Sequence, residues 1–138
     1  MAELHGEARA QAMWADDAAS RKLGMELVEV RPGFARVRMA VTGSMANGHG
    51  ICHGGFVFTL ADSAFAVACN THDLPTVAAG ADIVFVAAVG AGDELVAEAV
   101  ERVRFGRSGV YDVTVRRGGE VVAEFRGRSR SLGRPEPR

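Results

Sequence analysis

The stretch that decides the fold is CHGGFVFTLADSAFAVAC, residues 52–69. It opens on a His-Gly-Gly turn and continues as an apolar run long enough for about four helical turns. Asp62 is the only charged residue between Gly54 and Cys69. Because a carboxylate inside an apolar helix costs free energy unless it is paired or used, we interpret Asp62 as the leading catalytic candidate. The alternative is an Asp that only caps a loop or bonds to a neighbouring amide.

Segments with helix, turn and strand patterns surround this central helix. Residues 5–20 are rich in Ala and predict one short helix, whereas residues 43–53 contain three glycines and predict a loop. A Pro-Gly pair at 32–33 and the sequence Arg-Gly-Gly-Glu at 117–120 predict two hairpin turns. The predicted strands lie at about 25–30, 34–41, 76–88, 93–105, 109–117 and 120–131.

The order of these elements predicts a single-domain α+β protein in which one antiparallel sheet curls around the central helix. We expect the domain to span residues 1–132. Residues 133–138 contain two Pro and no apolar anchor, and we expect them to form a frayed tail. In the strand at 95–105, the alternation of apolar and charged residues predicts one buried face. That face consists of Leu95, Ala97, Ala99, Val103 and Phe105.

The central helix is too apolar for one sheet to cover. A sheet buries only one side of a helix, yet large apolar residues are distributed all around this one. We therefore expect a second subunit to cover the remaining apolar surface. The residues concerned are Phe56, Val57, Phe58, Leu60, Phe65 and Val67.

Composition and charge exclude several classes of protein. The 138 residues are 48% hydrophobic and 24% charged, which suits one globular core, and a net charge of −1 argues against a nucleic-acid binder. The apolar run is shorter than the roughly 20 residues that span a membrane, and the first residues show no secretory signal. We therefore expect a cytoplasmic protein, with no membrane partner and with reduced thiols at Cys52 and Cys69.

Gly54 and Gly55 lie where the loop becomes the helix, which predicts an oxyanion site. Without a Cβ, they let a ligand approach backbone N–H groups at the positive end of the helix dipole. An acyl carbonyl bound there would be polarised, and Asp62 could activate a water or attack directly. This combination indicates acyl hydrolysis. The alternative is that the two glycines only let a helix begin against a crowded sheet.

The spacing of Gly54 and Asp62 predicts a site shared between two chains. The two residues are eight positions apart, which is about 12 Å along one helix at 1.5 Å per residue. Donor and base must both lie about 3 Å from the reacting atoms. If the two residues act together, the partner comes from a second, antiparallel helix across a two-fold axis.

Polar residues around the entry loop allow other interpretations. A zinc site at His49, Cys52 and His53 would need a fourth ligand, and Cys69 and His72 lie at the far end of the helix, so we predict no metal. The Cys52 thiol has no identifiable base and orienting group, and we expect it to pack in the core. His53 and Asn47 could each either orient the carbonyl or stabilise the loop.

The motifs resemble those of the phenylacetic-acid-pathway (PaaI-type) acyl-CoA thioesterases of the hotdog fold. The resemblance covers roughly residues 10–132 and rests on Asn-Gly-His-Gly-Ile-Cys-His-Gly-Gly at 47–55, Leu-Ala-Asp-Ser-Ala-Phe-Ala at 60–66, Ala-Cys-Asn at 68–70, Gly-Asp at 92–93, Gly-Val-Tyr-Asp at 109–112 and Phe-Arg-Gly at 125–127. It implies dimers that pair into tetramers, and an acyl-CoA substrate of phenylacetyl or hydroxyphenylacetyl type. Coenzyme A is then part of the substrate, and no separate cofactor is needed.

The resemblance also assigns roles to single residues. Asp62 matches the catalytic carboxylate, Gly54 the oxyanion donor and His53 and Asn47 the supporting polar groups, while Ser63 is a weaker match to a water-positioning hydroxyl. Gly55 belongs to the same substrate-binding turn. The chain departs from the family at Ala87-Ala88, where Arg-Pro is common, so the phosphates of coenzyme A need other cations. The candidates are Arg104, Arg107, Arg126 and Arg128.

Two other functions stay open at this point. A hydratase or dehydratase on the same fold needs a His and a carboxylate across the site, and His53 and Asp62 supply those types. A non-catalytic acyl-CoA-binding module would not explain Asp62, a carboxylate whose burial costs free energy. Crotonyl-CoA hydration, or tight binding of coenzyme A without turnover, would separate these functions from thioester hydrolysis.

Overall fold

A computed structural model describes residues 4–133 of the chain. In these residues the chain forms three α-helices, six strands and one short 3₁₀ turn at Gly43–Met45. The helices are α1 (Gly6–Ala15), α2 (Ala18–Lys22) and α3 (Gly54–Cys69). The strands are β1 (Glu26–Arg31), β2 (Phe34–Ala40), β3 (Thr76–Phe85), β4 (Glu94–Phe105), β5 (Ser108–Arg117) and β6 (Glu120–Ser131).

All six strands form one antiparallel sheet in the order β1-β2-β4-β5-β6-β3, and the sheet curls around α3. The inner face of the sheet and the covered side of α3 supply the core, including Leu60, Phe65 and Tyr111. The packing is close where β6 crosses the helix: a Cβ added at Gly127 would lie 2.7 Å from the Phe65 ring. This confirms the predicted α+β layout and both hairpin turns.

The predicted helix at 5–20 is wrong in one respect, because the chain forms two helices there. Asp17 is the N-cap of α2, and its carboxylate accepts a hydrogen bond from the Ser20 N–H at 2.9 Å. An Asp at this position starts a new helix instead of continuing the old one. The predicted loop at 43–53 also contains the 3₁₀ turn and a short bridge between Ala46 and Cys52.

The C-terminal end of β4 does not follow the predicted alternation of buried and exposed side chains. Leu95, Ala97 and Ala99 are buried as expected, but Val103 and Phe105 are 48% and 59% exposed. The register of β4 against β5 shifts between residues 101 and 103, and such a bulge reverses the faces that follow it. Of the predicted tail, residues 134–138 lie outside the described part of the chain.

Strand β3 leaves one edge of the sheet unpaired. It pairs only with β6, and the apolar side chains of Val77, Val84, Phe85 and Val86 are exposed along it or just beyond it. Exposed apolar strand edges are surfaces on which a further strand can pair. The edge lies next to the beginning of α3, because the ring of Phe85 lies against Gly54.

Candidate active site

His53 is the N-cap of α3 and organises the beginning of the helix. Its ring nitrogen Nδ1 accepts a hydrogen bond from the Gly55 N–H at 3.0 Å, and its carbonyl accepts one from the Phe56 N–H at 3.0 Å. The Gly54 N–H has no acceptor among the described residues. The donor that this turn offers to a ligand is therefore the Gly54 N–H, at the positive end of the helix dipole.

The Gly54 turn borders an apolar cavity of about 300 Å³. A Cβ added at Gly54 would lie 2.9 Å from the tip of the Phe85 ring, so the absence of a side chain allows this close approach. The cavity therefore combines apolar walls with one unpaired backbone donor, as small-molecule sites do. Its lining comprises Ile51, Cys52, Gly54, Val57 and residues 85–89.

Asn47 holds the loop that precedes α3. Its side-chain oxygen accepts hydrogen bonds from the N–H groups of His49 at 2.9 Å and Ile51 at 3.3 Å. Its amide nitrogen makes no hydrogen bond within residues 4–133. Asn47 thus uses its acceptor to shape the loop and keeps its donor available to a ligand or a partner chain.

Asp62 lies on the side of α3 that the sheet leaves uncovered, together with Thr59 and Ala66. Burial raises the pKa of this carboxyl, and the negative charge of Asp17 raises it further. In the described part of the chain, Asp62 has no salt-bridge partner. Because α3 is one continuous helix, Gly54 and Asp62 are about 12 Å apart along its axis, and one chain does not bring them together.

Ser63 is buried beneath α2, where the structure places its hydroxyl against another hydroxyl. The Oγ atoms of Ser63 and Ser20 are 2.7 Å apart, and Ser20 in turn donates to Asp17 at 2.6 Å. Sequence reasoning missed Asp17 and Ser20. The signal available was an Asp three positions before a Ser within an Ala-rich helix, which is an N-cap pattern.

None of the four candidate phosphate-binding arginines lines the cavity beside Gly54 in the same chain. Arg126 forms two hydrogen bonds with Asp112, at 2.7 and 2.9 Å, and Arg128 donates to Asp82 at 3.2 Å, on the outer face of the sheet. The pKa of Asp112 is lowered by its hydrogen bond to Arg126. Arg104 and Arg107 flank the β4–β5 turn, near the end of the sheet opposite to Gly54.

Other possible ligands and nucleophiles are dispersed or buried. In residues 4–133, no three His, Cys, Asp or Glu side chains lie close enough to hold a metal ion. Burial raises the pKa of the Cys52 thiol, and it raises that of Cys69 to about 12, so both are poor nucleophiles. No helix in the described part of the chain is long and apolar enough to cross a membrane.

The part of the chain that contains Gly54 and Asp62 is similar to known proteins. The sequence model of the Thioesterase superfamily matches residues 49–124, a range that includes Gly54 and Asp62. The acyl-coenzyme A thioesterase PaaI of Escherichia coli K12 is 45% identical over 125 residues, which are 90% of this chain and 89% of the relative. The chain belongs to the thioesterase superfamily. Within that superfamily it is a PaaI-type acyl-CoA thioesterase.

Solved structures of the thioesterase family confirm the fold. The structure of the E. coli PaaI protein, from the phenylacetic acid degradation operon, matches with a TM-score of 0.88 and 44% identity over 91% of each chain. A mutant structure of the phenylacetic acid degradation protein PaaI from Thermus thermophilus matches with a TM-score of 0.82 and 38% identity, over 84% of this chain and 100% of the other. The sheet and helix described above are therefore the predicted hotdog fold.

Proposed function

We propose that this thioesterase hydrolyses compact aryl-acyl-CoA thioesters, of the phenylacetyl or hydroxyphenylacetyl type, to the free acid and coenzyme A. Water adds its oxygen to the acyl carbon, the carbon–sulfur bond breaks, and the sulfur leaves as the thiol of coenzyme A. The observation that carries the proposal is the unpaired Gly54 N–H at the mouth of an apolar cavity. A carbonyl oxygen bound by that N–H is polarised, and the charge that develops on it is stabilised.

Asp62 is the proposed base or nucleophile. As a general base, its carboxylate takes a proton from the attacking water, and as a nucleophile, it forms an acyl-enzyme anhydride that water then hydrolyses. Burial and the charge of Asp17 raise the pKa of Asp62, which makes the carboxylate a stronger base. The hydrogen bonds of His53 and Asn47 support assigning them to hold the oxyanion turn and its loop.

We propose that each site is completed by a second copy of the chain. The copies would join along the β3 edge, where Val84, Phe85 and Val86 are exposed beside Gly54. An antiparallel pair of α3 helices would place Asp62 of one copy near Gly54 of the other. The two groups would then meet although they are about 12 Å apart along the helix of one chain. The pairing of such dimers into a homotetramer stays a prediction, as does a cytoplasmic location.

The same pairing would bring arginines of one copy close to the substrate bound at the other copy. Antiparallel copies bring opposite ends of the two sheets side by side, so Arg104 and Arg107 of one copy approach the Gly54 end of the other. Arg126 and Arg128 would have to exchange Asp112 and Asp82 for phosphate oxygens, since they are already paired. The N–H of Gly55 is bonded to His53, so Gly55 would contribute only through its lack of a side chain, which lets the substrate come close to the backbone. The proposed reaction consumes thioester and water and includes no cofactor.

The size of the cavity supports a compact acyl group. Ligand sites range from about 300 to 1,000 Å³, and this cavity is at the lower end. Phe65 is fully buried in the core, and Phe58 packs against Phe125 at 5.2 Å between ring centroids. Phe85 lines the cavity beside Gly54, so its ring would contact a bound acyl group.

A panel of acyl-CoA thioesters tests the proposal. We expect kcat/KM for phenylacetyl-CoA to exceed that for palmitoyl-CoA at least about 10-fold, because a pocket discriminates by about 1 to 3 kcal/mol for each misfitting group. Crotonyl-CoA hydration measured on the same samples is expected to be absent. A preference for palmitoyl-CoA would overturn the aryl assignment, and hydration faster than thioester cleavage would establish the hydratase instead.

A further inference from the structure

The contact between α2 and α3 contains a buried pair of hydroxyl groups. Ser20 is 2% exposed and Ser63 is 7% exposed, and their Oγ atoms are 2.7 Å apart. The sheet side of α3, in contrast, is packed with apolar side chains such as Leu60 and Phe65. A polar contact of this kind is retained only if its members satisfy one another, and it then fixes one arrangement of the two helices.

Asp17 sets the direction of the hydrogen bonds in this contact. Its carboxylate only accepts, and it takes the Ser20 N–H at 2.9 Å and the Ser20 hydroxyl at 2.6 Å. Because the hydroxyl proton of Ser20 is committed to Asp17, its oxygen must accept the proton of Ser63. The chain therefore runs from Ser63 to Ser20 to Asp17, and every donor in it is used.

The end of this chain adjoins the proposed catalytic carboxylate. Ser63 follows Asp62 directly on α3, so the bond to Ser20 fixes the turn of α3 that carries Asp62. The same contact brings the charge of Asp17 close enough to affect Asp62. Asp17 is the one charged group in residues 4–133 that shifts the Asp62 pKa, and the neighbouring Cys69 thiol, with a pKa of about 12, is neutral.

We propose that Asp17 and Ser20 are positioning residues of the active site, which hold Asp62 in place through Ser63. This inference rests on the proposed role of Asp62 in thioester hydrolysis. Both residues precede the part of the chain, residues 49–124, that matches the thioesterase family model. The helix α2 and its N-cap are then part of the site, although they lie outside the sheet. Ser63 then acts on the Asp62 turn and not on the attacking water.

Three variants of the full chain test the proposal, and pH profiles of kcat/KM for phenylacetyl-CoA are the readout. Asp17→Asn removes the charge and one of the two oxygens that accept from Ser20, so the acid limb of the profile should move to lower pH. Asp16→Asn is the matched control, because Asp16 is exposed, one position away and outside the hydrogen-bonded chain. It should leave the acid limb unchanged.

Ser20→Ala interrupts the chain without a change of charge. We expect kcat to fall about 10-fold with KM changed less than about 3-fold, since a misplaced catalytic group slows the reaction without weakening substrate binding. Thermal unfolding verifies that the variant is folded at the assay temperature. If Ser20→Ala does not fold, the kcat of Asp17→Asn decides, because the loss of one acceptor for Ser20 should lower kcat in that variant and not in Asp16→Asn.

Two results would overturn the inference. One is an acid limb that is the same in Asp17→Asn and Asp16→Asn, and the other is a folded Ser20→Ala protein with the kcat of the unaltered chain. Asp62→Asn, assayed beside them, separates this failure from a failure of the proposed function. An inactive Asp62→Asn with unaffected Asp17 and Ser20 variants refutes only the positioning role, whereas an active Asp62→Asn refutes the proposed mechanism.

Discussion

Asp62 is a charged residue whose surroundings oppose its charge. Burial raises its pKa, Asp17 raises it further, and no cation of the described chain pairs with it. A folded protein retains such a carboxylate at a cost, and burial combined with a like charge is how active sites make a stronger base. Asp62 must be ionised to act, so activity should decline as the pH falls towards this raised pKa, at a higher pH than for an ordinary Asp.

Asp62→Asn should abolish most of the activity and leave the fold intact. The amide has the shape of the carboxylate but neither its charge nor its basicity, and a positioned base contributes about 10²- to 10⁴-fold to turnover. Thermal unfolding should show equal or greater stability, because the repulsion from Asp17 is removed. Asp73→Asn, an exposed carboxylate beyond the far end of α3, serves as the control and should have unaltered kcat. Full activity in Asp62→Asn would refute the mechanism.

The central helix and the strands were predictable because their patterns are local. An apolar run behind a His-Gly-Gly turn predicts α3, and alternation with Gly-rich turns predicts the hairpins. The break at Asp17 has a local signal that was missed, an Asp three positions before a Ser. The bulge after Glu101 was not predictable, since it depends on contacts with other elements. At the bulge, Glu101 accepts hydrogen bonds from Tyr111 at 2.8 Å and His72 at 2.6 Å, and these partners come from other elements.

The packing of β6 against α3 provides a test at the scale of elements. A Cβ at Gly127 would lie 2.7 Å from the ring of Phe65, which is fully buried between α3 and the sheet. Gly127→Ala should therefore lower the free energy of unfolding by about 1 to 3 kcal/mol, the usual cost of overpacking a core. Gly119→Ala, in the open β5–β6 turn, is the matched control and should change stability by less than about 0.5 kcal/mol. Chemical denaturation measures both. Equal stabilities would show that the helix can move away from the sheet at little cost.

The two edges of the sheet differ in a way that predicts how whole chains associate. On the β1 side, Glu29 pairs with Arg31 and Arg36, and Glu26 with Arg38, so charged side chains flank Val28, the one large apolar residue exposed in β1. Charges on an edge strand discourage pairing with another chain. The β3 edge carries more exposed apolar residues, namely Val77, Val84, Phe85 and the adjoining Val86, and lies beside Gly54. The free edge and the incomplete site are thus at the same place, which favours one two-fold pairing that serves both.

Subunit mixing tests whether Gly54 and Asp62 act across that pairing. Gly54→Pro removes the oxyanion N–H at the first position of α3, where Pro is compatible with a helix and where His53 already has the extended backbone that must precede Pro. Gly54→Ala is its control, because it adds the same Cβ next to Phe85 but keeps the N–H, and it should retain more activity than Gly54→Pro.

Asp62→Asn and Gly54→Pro should each be inactive alone and regain activity when unfolded, mixed and refolded together. Random pairing makes half of the dimers mixed, and each mixed dimer combines an intact Gly54 of one chain with an intact Asp62 of the other in one of its two sites. The expected recovery is therefore about a quarter of the activity of the unaltered protein. Size-exclusion chromatography verifies that all samples are dimeric or larger. Mixed oligomers that stay inactive would mean that both groups of a site come from the same chain, and that α3 must bend or shift to bring them together.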